Sequence, residues 1–106
     1  MSDALDRLFA TIASRKGADP SQSYTAKLLA SGVEKCAKKF GEEATEAVIA
    51  AIQKDKTELA KESADVLYHL AVLWAASGLT PGDVYAVLQA REGQSGLEEK
   101  ASRPKD

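Results

Sequence analysis

Six carboxylates fall where their spacing has chemical meaning: Glu42, Glu43 and Glu46, then Glu58, Glu62 and Asp65. On an α-helix, residues three apart share one face, with β-carbons about 5–6 Å apart. Glu43 therefore pairs with Glu46, and Glu62 with Asp65. Four hard oxygen donors brought to one place suit magnesium or manganese, which take carboxylate and water ligands. The plainer explanation is a solvated helix face, because an ExxE spacing is common in helical sequences. Two features weigh against it. Glu42/Glu46 and Glu58/Glu62 are like-charge pairs four residues apart, which destabilise a bare helix. Ala47 and Ala50 continue the face of Glu43 and Glu46, and such small side chains leave room beside it. A divalent cation would turn the repulsion into binding.

Other residues near the acids admit two uses each. His69 follows Asp65 by one turn on the same stripe, where it binds substrate, orients an acid, or simply hydrogen-bonds a helical neighbour. Lys39 has either Glu43, at i,i+4, or a phosphate as its partner. Tyr68 and Trp74 read as packing residues. Cys36 has no second cysteine to pair with and reads as a small buried side chain in a helical pattern.

The elements that must position these groups are helical throughout. Ala, Leu, Glu and Lys are frequent, and proline is confined to Pro20, Pro81 and Pro104. A first helix is predicted over 3–16, with Leu5, Leu8, Phe9 and Ile12 as its apolar stripe and Gly17 as its stop. Ser23 caps a short helix over 24–31, which Gly32 breaks or bends. A long helix spans 33–53. After the Lys54-Asp55 connection another spans 56–77, with Asp55 as N-cap, Glu58 completing what is close to a capping box, and Gly78 as terminator. Thr80-Pro81 restarts the chain as a helix over 81–91, with Val84, Val87 and Leu88 turned inward. Residues 1–92 form one domain, and the Gly-, Ser- and charge-rich segment 93–106 is expected to be a mobile tail. The fold class is all-α, with four to five helices. The short connection forces the two long helices antiparallel, so that their acidic stretches face one another.

Bulk properties narrow the function further. A chain of 106 residues builds one modest core, and a small helical domain with wide apolar faces often completes that core as a homodimer. The formal net charge of −2 provides no basic field for nucleic acid or for an anionic membrane. The longest apolar run, 70–76, is far too short to span a bilayer. The acidic start of the chain has no signal-peptide core, which makes the cytoplasm the expected location.

The pattern EExxE over Glu42–Glu46, followed by ExxD over Glu62–Asp65, resembles the all-α nucleoside triphosphate pyrophosphohydrolase superfamily, which includes MazG-like enzymes and dimeric dUTPases. Tyr24-Thr25-Ala26-Lys27-Leu28 with Gly32, the KxGEEAxE-like stretch from Lys39, and the segment Ala64 to Leu70 are similar to the phosphoribosyl-ATP pyrophosphatase family of histidine biosynthesis. The ending from Arg91 to Arg103 matches the family form RxGxSGxxEKAxR, while Phe40 replaces a smaller aliphatic residue. This resemblance implies a magnesium-dependent hydrolase of phosphoribosyl-ATP. It implies Glu43, Glu46, Glu62 and Asp65 as magnesium ligands, with Glu42 either supporting those ligands or, as Glu43 also could, serving as base for the attacking water. It also implies that Lys39 contacts phosphate and that Tyr24 and His69 line the substrate pocket. The basic residues Arg91, Lys100 and Arg103 on a glycine-containing segment are suited to fold over the substrate and contact its phosphates, the plainer alternative being a disordered end with no catalytic role. Two rival readings are a house-cleaning enzyme of the same superfamily, acting on dUTP or damaged nucleotides, and a non-catalytic helical dimerisation module.

Overall fold

The computed structural model describes residues 3–93, which form five helices and, within that range, no strand. They are α1 (Asp3–Ser14), α2 (Tyr24–Ala30), α3 (Val33–Ile52), α4 (Lys56–Ser77) and α5 (Pro81–Ala90). Local chemistry marks most of their ends. Ser23 accepts the Ala26 N–H at 3.1 Å to start α2, and Asp55 accepts the Glu58 N–H at 3.0 Å to start α4. Each satisfies a backbone donor that the first helical turn leaves without an intrahelical partner. Thr80 and Asp83 exchange the two hydrogen bonds of a capping box, with Pro81 at the first helical position of α5. Gly78 ends α4 at φ 76°, a left-handed conformation that costs a glycine little.

Four helix ends and one face differ from the sequence expectation; α2 stops at Ala30 and α5 at Ala90, each one residue early. Helix α1 ends at Ser14, because Arg15 and Lys16 pass into tight turns that bond back to Ile12 and Ala13. Helix α3 stops at Ile52, and Lys54 adopts a positive φ of 59° in the short link to Asp55. Val87 and Leu88 of α5 do not turn inward; they are 47% and 44% exposed. Only Pro81 is buried in this helix, and Tyr85 ties α5 to α1 by donating to Asp6 Oδ1 at 2.8 Å. The helix is anchored at its start and along one side.

The core is built where α1, α2 and α3 meet the C-terminal half of α4. Ile12, Leu28, Cys36, Ala71, Val72 and Ala75 are buried together, flanked by Leu8, Phe9, Leu29 and Tyr68. Cys36 is buried as expected and donates its thiol to the Leu28 carbonyl at 3.2 Å. Trp74 is also buried, and Tyr68 packs at the core edge with its hydroxyl 2.5 Å from that of Thr25. Both are packing residues, as their sequence context suggested. Burial of Ala71, Val72 and Ala75 fixes which face of α4 turns inward. The N-terminal half of α4, with its acids, then lies along α3. Side chains across this interface pair Glu43 with His69, and Glu46 with Glu62.

Candidate active site

Helix α3 presents Glu43 and Glu46 on one face, and α4 presents Glu62 and Asp65 against it. Carboxylate oxygens of Glu43, Glu62 and Asp65 all lie within 4.8 Å of one another. Glu46 stands at the edge of this trio, within hydrogen-bonding reach of both Glu43 and Glu62. The convergence expected from the sequence therefore occurs, with Glu46 set slightly apart from the other three.

Crowding is visible in the protonation of the group. Glu62 is pushed up to about 7 by its hydrogen bond with Glu46, then by burial and the charge of Glu46. Glu43 is also raised, first by burial and then by Glu46 and Asp65, although Lys39 opposes this. Oε2 of Glu62 is buried without a hydrogen-bond partner among the described residues. An unsatisfied buried carboxylate oxygen is costly unless something positive meets it. Two oxygens bound to one magnesium ion stand about 3–4 Å apart, so a modest closing of these side chains would enclose a cation. Oxygen donors alone, no sulfur, and a roomy approach fit magnesium better than zinc. That approach is a cleft of about 260 Å³ lined by Glu46, Ile49, Ala50, Gln53, Glu58 and Glu62. Ala50 supplies the room anticipated for it.

On the other side of the acids, His69 is 6% exposed, with Nε2 4.0 Å from Glu43 Oε1. Its Nδ1 has no hydrogen-bond partner among the described residues, so the ordinary bond to a helical neighbour is not made. Burial lowers the His69 pKa, while Asp65 and Glu42 pull it upward and Lys39 lowers it further. The imidazole is wedged edge-on between Tyr24 and Tyr68, with ring centroids 6.5 Å and 5.0 Å away. Lys39 turns to Glu42 at 3.4 Å, at i,i+3, in place of the i,i+4 pairing with Glu43.

Residues 5–92 match the family model for phosphoribosyl-ATP pyrophosphohydrolase. The chain belongs to this family. It is 63% identical over 99 residues to the phosphoribosyl-ATP pyrophosphatase of Cereibacter sphaeroides, covering 93% of this chain and 96% of the relative. It is 64% identical to the Parvibaculum lavamentivorans protein of the same name, covering 93% and 91%. The Paramagnetospirillum magneticum protein, also so named, is 58% identical over 104 residues, covering 98% and 95%.

Within this phosphoribosyl-ATP pyrophosphohydrolase domain, Glu43, Glu62 and Asp65 come together, with Glu46 adjoining them. Glu42 is exposed and held by Lys39. Tyr24 and Lys39 line one cavity, and the buried His69 lies between Tyr24 and Glu43. Arg91 caps the C-terminus of α5. Lys100 and Arg103 lie outside the described residues. Sequence reasoning assigned no role to Lys27 or Lys35, which line a cavity with Tyr24 and Lys39. The four-residue step from Lys35 to Lys39 was the available signal.

Proposed function

We propose that this protein hydrolyses the α–β phosphoanhydride of phosphoribosyl-ATP, giving phosphoribosyl-AMP and pyrophosphate. The observation that carries the reading is the convergence of Glu43, Glu62 and Asp65, in which Glu62 also keeps a buried Oε2 with no hydrogen-bond partner among the described residues. Family membership, with relatives that carry this activity in their names, supplies the substrate.

Glu43, Glu46, Glu62 and Asp65 would hold magnesium. When bound, the ion neutralises phosphate oxygens and favours deprotonation of water. Displacement at a phosphoanhydride demands a water in line with the leaving group and a place for its proton. Glu43, one of the converging carboxylates, is one candidate to accept that proton. Glu42, the adjoining carboxylate, is the second candidate; its contact with Lys39 holds the ammonium at the edge of the site, where it meets substrate phosphate. His69 and Tyr24 form the wall beside the nucleotide, and their packing limits water entry from that side. Arg91, Lys100 and Arg103 are assigned to the substrate phosphates.

The same reading includes a domain over residues 1–92, in keeping with the family match over 5–92. It has α3 and α4 antiparallel, which accords with Glu43 meeting His69 while Glu46 meets Glu62. It also includes a homodimer in the cytoplasm. Val48, Ile49 and Ile52 on α3 are exposed, Ile52 at 74%. A second apolar cavity is lined by Ala4, Leu5, Leu8, Ala64 and Leu67. Such faces on a chain this small are ordinarily covered by a second copy.

The test is pyrophosphate release from phosphoribosyl-ATP, assayed with magnesium and again after chelation. Release that stops with chelator is the expected result. A purified, folded protein that releases none with magnesium present overturns the assignment.

A further inference from the structure

Three lysines line a cavity of about 340 Å³ between α2 and α3: Lys27, Lys35 and Lys39, with Tyr24, Leu28 and Ser31 completing the wall. Among the described residues no carboxylate lines it. Lys35 and Lys39 are four residues apart on α3, a like-charge spacing that weakens a helix unless an anion lies between them. Among the described residues neither Lys27 nor Lys35 has an ion-pair partner. The Tyr24 ring, 54% exposed, offers an apolar surface in the same space.

We infer that this cavity is a phosphate subsite that holds the phosphoribosyl group of the substrate, separately from its triphosphate. The inference rests on the substrate proposed above. Phosphoribosyl-ATP is anionic at two ends, a triphosphate and a ribose monophosphate, joined through the nucleoside. The structure has two matching regions. The carboxylates accept a phosphate chain only through a cation, and their cleft runs toward Gln53 and Glu58 with no lysine among its described lining residues. The lysine cavity lies by the first half of α3, at Lys35 and Lys39, and attracts phosphate directly. Lys39 and Tyr24 join the two regions. Lys39 lines the cavity and reaches Glu42, while Tyr24 lines it and meets His69, itself 4.0 Å from Glu43. Lys35 precedes Glu43 by eight residues, roughly 12 Å along a helix rising 1.5 Å per residue. Such a separation suits two phosphate groups with a nucleoside between them. The cavity would thus distinguish phosphoribosyl-ATP from an ordinary nucleoside triphosphate.

The experiment compares wild type, Lys35→Gln, Lys27→Gln, the double variant and Lys35→Arg. Thermal melts establish that each is folded. With phosphoribosyl-ATP, Lys35→Gln is expected to raise KM roughly tenfold and to change kcat by less than about twofold, as loss of one charge-assisted phosphate contact would. Inhibition by ribose 5-phosphate weakens by a similar factor, inhibition by pyrophosphate does not, and Lys35→Arg restores both KM and inhibition. Unchanged KM and ribose 5-phosphate inhibition in the double variant overturn the inference. So does weakening confined to pyrophosphate inhibition, which would put the triphosphate end in the cavity. Calorimetry with ribose 5-phosphate alone gives a readout independent of turnover. Binding that the double variant loses supports the subsite, and no binding to wild type overturns it. A wild type without phosphoribosyl-ATP turnover counts against the proposed reaction, and is thereby told apart from failure of the subsite.

Discussion

Replacing Glu62 with glutamine is expected to stabilise the metal-free protein while abolishing its response to magnesium. Glu62 has a carboxyl pushed up to about 7 by Glu46, with Oε2 buried and unpartnered. A carboxyl whose folded pKa lies above its unfolded value holds its proton longer in the native state. Its stabilising contribution is complete below the unfolded value and is lost as pH rises through about 7. Metal-free protein is therefore expected to melt lower at pH 8 than at pH 5.5. Glutamine keeps the shape and can donate to Glu46 without carrying charge, so the variant escapes that loss. Magnesium acts in the other direction. At a free concentration one hundred times its dissociation constant, a ligand that binds only the native state contributes about 2.7 kcal/mol. In a domain of this size each kcal/mol moves the melting temperature by about 4–8 °C. The wild-type shift at pH 8 is thus roughly 10–20 °C, and it shrinks at pH 5.5, where protons compete for the same oxygens. Circular dichroism melts at both pH values, with magnesium or with chelator, measure all four quantities. A variant that melts below wild type without metal at pH 8, or one that keeps the full magnesium shift, refutes the reasoning.

Neutralising the acids should abolish turnover without unfolding the chain: Asp65→Asn and Glu43→Gln are each expected to lower kcat/KM at least about 100-fold, read by pyrophosphate release. Val72, fully buried in the core, should cost about 2 kcal/mol when cut to alanine, seen as a lower denaturant midpoint with an unchanged slope. Thr80→Ala removes the capping box of α5; a loss of about 1 kcal/mol is expected, with faster hydrogen exchange in α5. If α3 forms the dimer face, Ile52→Asp should shift the protein from dimer to monomer in light scattering, because a charge would enter an apolar contact.

Helix punctuation was readable from the sequence because it is local. Ser23, Asp55 and Thr80 each bond a backbone N–H three residues on, and side-chain type plus position is enough to foresee that. The inward face of α5 was not readable. Periodicity places Val84, Val87 and Leu88 on one stripe, but only tertiary placement decides whether a stripe meets a neighbour. Helix α5 is held at Pro81 and by Tyr85 on Asp6, which leaves Val87 and Leu88 exposed. The acids fall between these cases. Their three-residue spacing brought pairs onto shared faces, and a short link set α3 beside α4. Which oxygens come closest depends on how each helix is rotated about its axis. Burial of Cys36 and Ala50 on α3, and of Ala71 and Val72 on α4, sets that rotation, and Glu46 ends one step outside the trio.

The lysine cavity shows why one half of the site could be read and the other could not. Glu43 and Glu46 on α3, and Glu62 and Asp65 on α4, pair within single helices, where three residues of spacing imply a shared face. Lys27 and Lys35 belong to different helices, α2 and α3, joined through Ser31 and Gly32. Their approach depends on the angle of that joint, where Gly32 takes φ 94°, a value that a β-carbon would strain. Without this bend Lys27 would lose its place beside Lys35 and Lys39, while the acids, farther along α3, would stay together. Gly32→Ala should then weaken the ribose 5-phosphate response more than it weakens the magnesium response. Equal losses in both would mean that the bend supports the whole fold and has no particular tie to the basic cavity.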